Sequence, residues 1–325
     1  NNFIGTPVFS GEISILKSAL TPSTSQVSKT YDGSASMGTV SVQFAGVVSQ
    51  SGTSDVVSST GTGLYATKNA GTNISYSVSG LALNGADAGN YYIAGGTIFT
   101  GNNGVITPKS VQLVAGTSQK TYDGTTAIAA TAADLAALSA QLGVSGDTVN
   151  AVTLQYANRN AGFGKALTPS AAVISDGQSG GNYQITYASS NTSVISPKDV
   201  TLTPQAVSKT YDASTFYNAN AADLAYLSAQ LGVSGDTVTG ITLVTPDKTI
   251  GTKTLLASSA FINDGNFGLN YTLSYGSSSI AVAAKSISAI NTTVNSKAYD
   301  KNTAATLAGG VLNGVEIGDS VTLTQ

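Results

Sequence analysis

The sequence repeats itself at a period of about 89 residues, and this constrains its architecture before any local pattern is read. Lys-Thr-Tyr-Asp stands at residues 29–32, 120–123 and 209–212, and Lys-Ala-Tyr-Asp at 297–300. The tyrosines Tyr31, Tyr122, Tyr211 and Tyr299 lie 91, 89 and 88 residues apart. A second landmark, Asn-Tyr, keeps step at Asn90-Tyr91, Asn182-Tyr183 and Asn270-Tyr271. A third, Ile-Thr-Pro-Lys at 106–109, recurs as Ile-Ser-Pro-Lys at 195–198 and, weakened, as Val-Ala-Ala-Lys at 282–285. These phases divide the 325 residues into the tail of a preceding repeat (1–16), three full repeats (17–108, 109–197, 198–284) and a fourth cut off at Gln325 (285–325). A unit of this length can own a small core, so the sequence predicts tandem domains and not solenoid turns. The junctions are short, with Pro108 and Pro197 as stiffeners and no Gly/Ser linker.

Within a repeat the pattern is mostly strand. Residues 110–115, 149–156 and 183–187 alternate apolar and polar side chains, and Gly, Asn, Asp and Ser clusters separate them as turns. Helical spacing appears in 132–142, where Leu135, Leu138 and Leu142 share a face, Thr131 and Asp134 form a capping box and Gly143 ends the helix. The stretch 132–154 matches 221–243 at 19 of 23 positions, so the third repeat carries the same helix, whereas the first has no equivalent. The fold class expected is mainly β: a tandem array of similar β domains, β-sandwich or immunoglobulin-like with a β-grasp-like alternative, and a short helix inserted in the second and third units.

Composition removes several chemistries. The chain has no Cys and no His, which excludes thiolate and histidine relays, disulfides and zinc or other transition-metal sites of the ordinary ligand types. A net charge of -3 argues against nucleic acid, because phosphate binding needs a basic surface. Apolar runs are far shorter than the roughly 20 residues that span a bilayer. Residues 1–20 show no signal peptide, and the start in mid-pattern reads as a piece of a longer protein. No cofactor is expected.

Three motifs carry polar groups in a fixed pattern. In the Tyr-Asp element, Tyr31, Tyr122, Tyr211 and Tyr299 read as buried anchors with tethered hydroxyls, and Asp32, Asp123, Asp212 and Asp300 as turn formers. Gly-Asp-Thr-Val at 146–149 and 235–238, with Gly-Asp-Ser-Val at 318–321, reads as a turn; calcium is the sharper alternative, but the 15 Asp and two Glu are scattered. Lys120 and Asn182, with Asp123 or Asp147 as proton shuttle, are candidates for an intramolecular amide, which needs an apolar site and a raised carboxylate pKa.

The segments Lys-Thr-Tyr-Asp-Gly-Thr-Thr at 120–126, Gly-Ala-Asp-Ala-Gly-Asn-Tyr at 85–91 and Ile-Thr-Pro-Lys at 106–109 resemble the YDG-type repeats of large bacterial surface and secreted adhesins. Filamentous-haemagglutinin-like exoproteins of two-partner secretion are among these. The resemblance implies an extracellular location and export through an outer-membrane translocator. The expected role is a structural or adhesive repeat segment of a surface adhesin or fibre, as in a biofilm or matrix, acting as a stalk or a multivalent array. Partners would be neighbouring repeats, copies of the chain in lateral or end-to-end association, and host or matrix glycans. One alternative is a glycan-binding module whose exposed tyrosines, Tyr91-Tyr92 or Tyr226, stack on sugar rings. A remote one is a carboxylate-based glycosidase, although no enzyme activity is expected.

Overall fold

The structure, a computed structural model, describes residues 11–324, so most of the tail read at 1–16 lies outside the described residues. The chain is mainly β, with sandwich-like curled sheets and two helices among the described residues. Strand alternation is literal in places: along Ser59–Tyr65 every second residue is buried and the others face out. Among the described residues no helix is long and apolar enough to cross a membrane.

Contacts group the chain into two compact units, each discontinuous in sequence. Unit 1 comprises Asn1–Gly116, Ala129–Gln155 and Thr168–Ser190; unit 2 comprises Thr117–Ile128, Tyr156–Leu167 and Asn191–Gln325. Unit 1 thus contains Pro108 and takes its core from both sides of it. One cluster holds Tyr31, Val40, Tyr76 and Ile106 of the first repeat together with Leu113, Leu138, Leu142, Val149 and Tyr183 of the second.

In unit 1 a seven-stranded sheet runs in the order Ser28–Thr30, Ile98–Thr107, Gly71–Ser79, Ser59–Tyr65, Ser36–Ala45, Ser18–Ser23, Tyr91–Ile93. The pairs at its two ends are parallel and the inner pairs antiparallel. The second repeat adds to this unit the strand Lys109–Val114, which pairs in parallel with Tyr183–Ala188. Unit 2 repeats the arrangement: Val207–Thr210 lies parallel to Ser277–Ala283, and Lys198–Leu202 parallel to Tyr271–Tyr275. An immunoglobulin-type sandwich would be antiparallel throughout. Here the opening strands of a repeat pair in parallel with its closing strands, so the chain must cross over between them.

The helices Ala132–Leu142 and Ala221–Leu231 form where their caps indicate. Thr131 and Asp134 make the reciprocal capping box, as do Asn220 and Asp223, and Gly143 and Gly232 end the helices at φ 62° and 60°. The Pro-Lys landmark gains a physical role here. Lys109 Nζ donates to the carbonyls of Leu142 (2.8 Å) and Gly143 (3.0 Å), and Lys198 does the same at Leu231 (2.7 Å) and Gly232 (3.2 Å). An ammonium at a helix C-terminus satisfies orphan carbonyls and complements the dipole. Buried Leu138 and Leu142, or Leu227 and Leu231, then fix each helix on its core.

This core arrangement predicts how the chain tolerates truncation. A chain ending at Pro108 keeps the first repeat whole but lacks Leu113, Leu138, Leu142, Val149 and Tyr183; one ending at Ser190 keeps all of unit 1. Several lost core side chains at roughly 2–5 kcal/mol each exceed the stability of a small domain. Circular dichroism is expected to show no cooperative melt for the shorter chain and a sharp one for the longer.

Candidate functional site

The repeated polar residues converge on buried carboxylates. In unit 1, Asp147 Oδ2 accepts the Tyr31 hydroxyl at 2.8 Å and the Tyr183 hydroxyl at 2.6 Å. The donors lie 116 residues before and 36 after it, so the cluster joins the Tyr-Asp element of one repeat to the Gly-Asp-Thr and Asn-Tyr elements of the next. The two rings meet edge to face, with centroids 5.5 Å apart. Unit 2 builds the same cluster: Asp236 Oδ2 accepts Tyr122 at 2.7 Å and Tyr271 at 2.8 Å, again with ring centroids 5.5 Å apart. Asp236 gains a third partner, Arg159 Nη2, at 2.8 Å from Oδ1 and 2.9 Å from the carbonyl of Asp264. Lys68 stands at the place of Arg159 in unit 1 and makes no hydrogen bond or ion pair among the described residues.

The Asn-Tyr landmark is explained by the same loops. Asn182 and Asn270 are fully buried. Asn182 Oδ1 accepts the Ala70 N–H at 2.7 Å, and Asn270 Oδ1 accepts that of Ala161 at 2.7 Å. Before each Asn, a buried Asp gathers backbone donors: Asp176 accepts from the N–H groups of Gln178, Gly180 and Asn182, and Asp264 from those of Asn266, Gly268 and Asn270. The first copy differs. Asn90 is exposed in a short 3-10 turn, and Tyr91 donates to Asp55 at 2.6 Å.

The Tyr-Asp element divides its labour as its residue types suggest. Tyr31 and Tyr122 are buried, while Asp32, Asp123 and Asp212 shape exposed turns by accepting the N–H two residues on. Each is clipped by the lysine three residues before it, Lys29, Lys120 or Lys209. Gly124, at φ 80°, must be glycine: a Cβ there would sit 2.5 Å from Val233 Cγ1. In the third copy Ala213 keeps the left-handed backbone at φ 57°. Tyr211 donates to Asp319, whereas Tyr299 is 89 % exposed and Asp300 pairs with Lys297.

Some sequence-level candidates are placed apart. Lys120 Nζ is occupied by Asp123, the Thr125 carbonyl and hydroxyl and the Ala127 carbonyl. The Asn182 amide is held by Ala70, Asn69 and Asp176. The structure therefore joins Lys120 to Asp123 and gives Asn182 other partners, with no amide-forming triad. Tyr91, read as a stacking surface, is buried; Tyr92 and Tyr226 are half-exposed. Asp147, read as a turn former or calcium ligand, does close a turn through its N–H to Val144, yet its carboxylate serves the phenols. Among the described residues no three His, Cys, Asp or Glu side chains converge as a metal cluster would.

Two stretches, residues 16–98 and 107–192, each match the YDG domain. The chain belongs to the YDG domain family. No curated protein matches it. The third YDG-like repeat, 198–284, carries the same Tyr-Asp-Tyr cluster at Asp236, so the pattern continues past the matched residues.

Titration follows from this burial. Desolvation first, then hydrogen bonding to Asp147 or Asp236, pushes the phenols of Tyr31, Tyr183, Tyr122 and Tyr271 well above their ordinary value of 10.0. Burial alone would raise Asp176, but its three backbone donors outweigh it and hold the carboxyl below its usual range. A raised phenol pKa means stability that is complete below about pH 10 and lost as pH climbs through the folded value; the lowered Asp176 contributes above about pH 4 and is lost in acid. The melting temperature is expected to fall on both sides, and Tyr31→Phe with Tyr183→Phe should flatten the alkaline limb. Asp236→Ala leaves two buried hydroxyls and a guanidinium without their acceptor and is expected to cost about 3–5 kcal/mol in denaturant unfolding, against about 1–2 for Tyr122→Phe.

Proposed function

We propose that the chain is a structural and adhesive repeat segment of an extracellular bacterial adhesin or surface fibre of the filamentous-haemagglutinin-like type. The observation that carries this reading is the Tyr-Asp-Tyr cluster. It spends the most repeated polar residues on linking one repeat to the next, at Asp147 and again at Asp236. A repeat built to grip its successor suits mechanical reach. The absence of Cys and His suits a polypeptide that crosses an envelope unfolded through an outer-membrane translocator. In this reading the buried carboxylates hold phenols and perform no catalytic step. Adhesion comes from many weak contacts along the array, with tethering raising their effective concentration.

Half-exposed Tyr92 and Tyr226 favour a second role for the same surface, stacking on host or matrix glycans. Tyr226 replaces Ala137 in the otherwise matching helix of the second repeat, so a glycan contact there would belong to the third repeat alone.

X-ray scattering on chains of two, three and four repeats tests the stalk. The maximum dimension is expected to grow by a constant increment per repeat, and a value that levels off would overturn the reading. Antibodies to the chain should label intact cells without permeabilisation.

A further inference from the structure

The third repeat differs from the second by a set of large apolar side chains on its surface. Where the second has Ala127, Val173, Ser179 and Gly181, the third has Phe216, Phe261, Phe267 and Leu269. All four of the larger residues face out: Phe216 is 57 %, Leu269 67 %, Phe261 70 % and Phe267 97 % exposed. Folding of the repeat does not explain them, since a side chain left in water contributes little burial. Phe267 also sits in left-handed backbone at φ 56°, as Ser179 does at φ 53°, where a bulky residue is disfavoured. The exposure is a property of this part of the repeat. In the second repeat, which a whole repeat follows, Val173 is 57 % exposed and Ser179 and Gly181 are exposed as well.

These residues border two adjoining grooves in unit 2. Phe261, Phe267 and Leu269 line one of about 570 Å³ together with Thr239. Phe216 lines another of about 320 Å³, which shares Thr239 and includes Asn218. The grooves meet at the edge strand Thr237–Val244, where the Phe261 ring lies against Gly240 at the place of Ala151. Thr239 Oγ1 donates to the Phe261 carbonyl at 3.2 Å and so presents its lone pairs to an outside donor. Both grooves have the size and the mixture of apolar walls and a few polar groups typical of small-molecule sites. Among the described residues no charged side chain lines either one.

We propose that the grooves meeting at Thr239 form a binding site for an uncharged oligosaccharide, carried by the third repeat. The proposal rests on the glycan role given above and assigns that role a site and a ligand class. The C–H faces of the sugar rings stack on Phe261 and Phe267, and sugar hydroxyls bond Thr239 and Asn218. Charge complementarity sets the class: a sialylated, sulfated or phosphorylated ligand needs cationic partners when it is desolvated, and the lining offers none among the described residues. An anionic membrane surface would call for lysines or arginines beside the rings in the same way. A second copy of the chain is a poor fit, because a stable pair buries roughly 800 Å² on each partner and four side chains supply only a fraction of that. Tyr226 lines neither groove, so its contribution is separable.

The test applies the whole chain to a printed array of neutral, sialylated and sulfated oligosaccharides and titrates the retained ones by calorimetry. Saturable one-to-one binding of uncharged oligosaccharides is expected. Phe261→Val with Phe267→Ser, which install the residues of the second repeat at the same places, should weaken it about tenfold through loss of ring stacking. Phe267→Ser alone, at a fully solvated tip, should weaken it with the melting temperature unchanged. Tyr226→Ala should leave the affinity as it is. Retention of anionic glycans only, or binding indifferent to the phenylalanine changes, overturns the proposal. Binding lost in Tyr226→Ala but untouched by the phenylalanine changes overturns this site and keeps the glycan role, whereas no retained glycan removes both. Self-association or uptake by phosphatidylcholine vesicles that depends on Phe267, in place of glycan binding, also overturns it, since the occupant would then be a second copy or a lipid surface.

Discussion

Burying a carboxylate is costly unless strong donors meet it, and the two phenols at Asp147 or Asp236 are such donors. The arrangement solves two problems together. A phenol needs an acceptor once its ring is buried, and a buried carboxylate needs hydrogen-bond donors, to which Asp236 adds the cation of Arg159. Because the two donors come from different repeats, the cluster is satisfied only when both are folded against each other. The hydrophobic side chains around it, Leu138, Leu142 and Val149 in unit 1, depend on that closure for burial.

The period, the strands and the capped helices were legible in the sequence because each rests on local rules: alternation, capping boxes and a glycine in the left-handed region. The partner of Asp147 was not. Gly-Asp-Thr reads as a turn, and the residue does make one, so the turn reading left no unexplained letter. The separation of 116 residues between Tyr31 and Asp147 exceeds the period, and a repeat pattern looks the same whether an element pairs within its own repeat or with the next. The available clue was that Asp147, Asp236 and Asp319 keep phase with the tyrosines as faithfully as the Tyr-Asp element does. The lysine of the Pro-Lys landmark was equally opaque, because the carbonyls it caps lie 33 and 34 residues away.

Variation among the copies shows which parts of the cluster are fixed. The two phenols and the carboxylate recur in both complete copies, while the nearby cation ranges from Lys68, without a polar partner among the described residues, to an Arg159 that bridges Asp236 and the Asp264 carbonyl. Arginine also lies over the Tyr122 ring, 5.9 Å from its centroid, a contact available to a planar guanidinium. Gly124 packs against Val233 at a positive φ, whereas the third copy keeps the left-handed backbone with Ala213 at φ 57°.

The parallel pairing of opening and closing strands also sets an order in time. Ser28–Thr30 meets Ile98–Thr107 across some 77 residues, and its neighbour Tyr31 then needs Asp147, which is synthesised later still. Long-range parallel contacts form slowly, since loop closure precedes any gain. A core of this kind is sealed by the arrival of the next repeat, so folding advances along the chain as a ratchet, with each newly emerged segment locking the one before it.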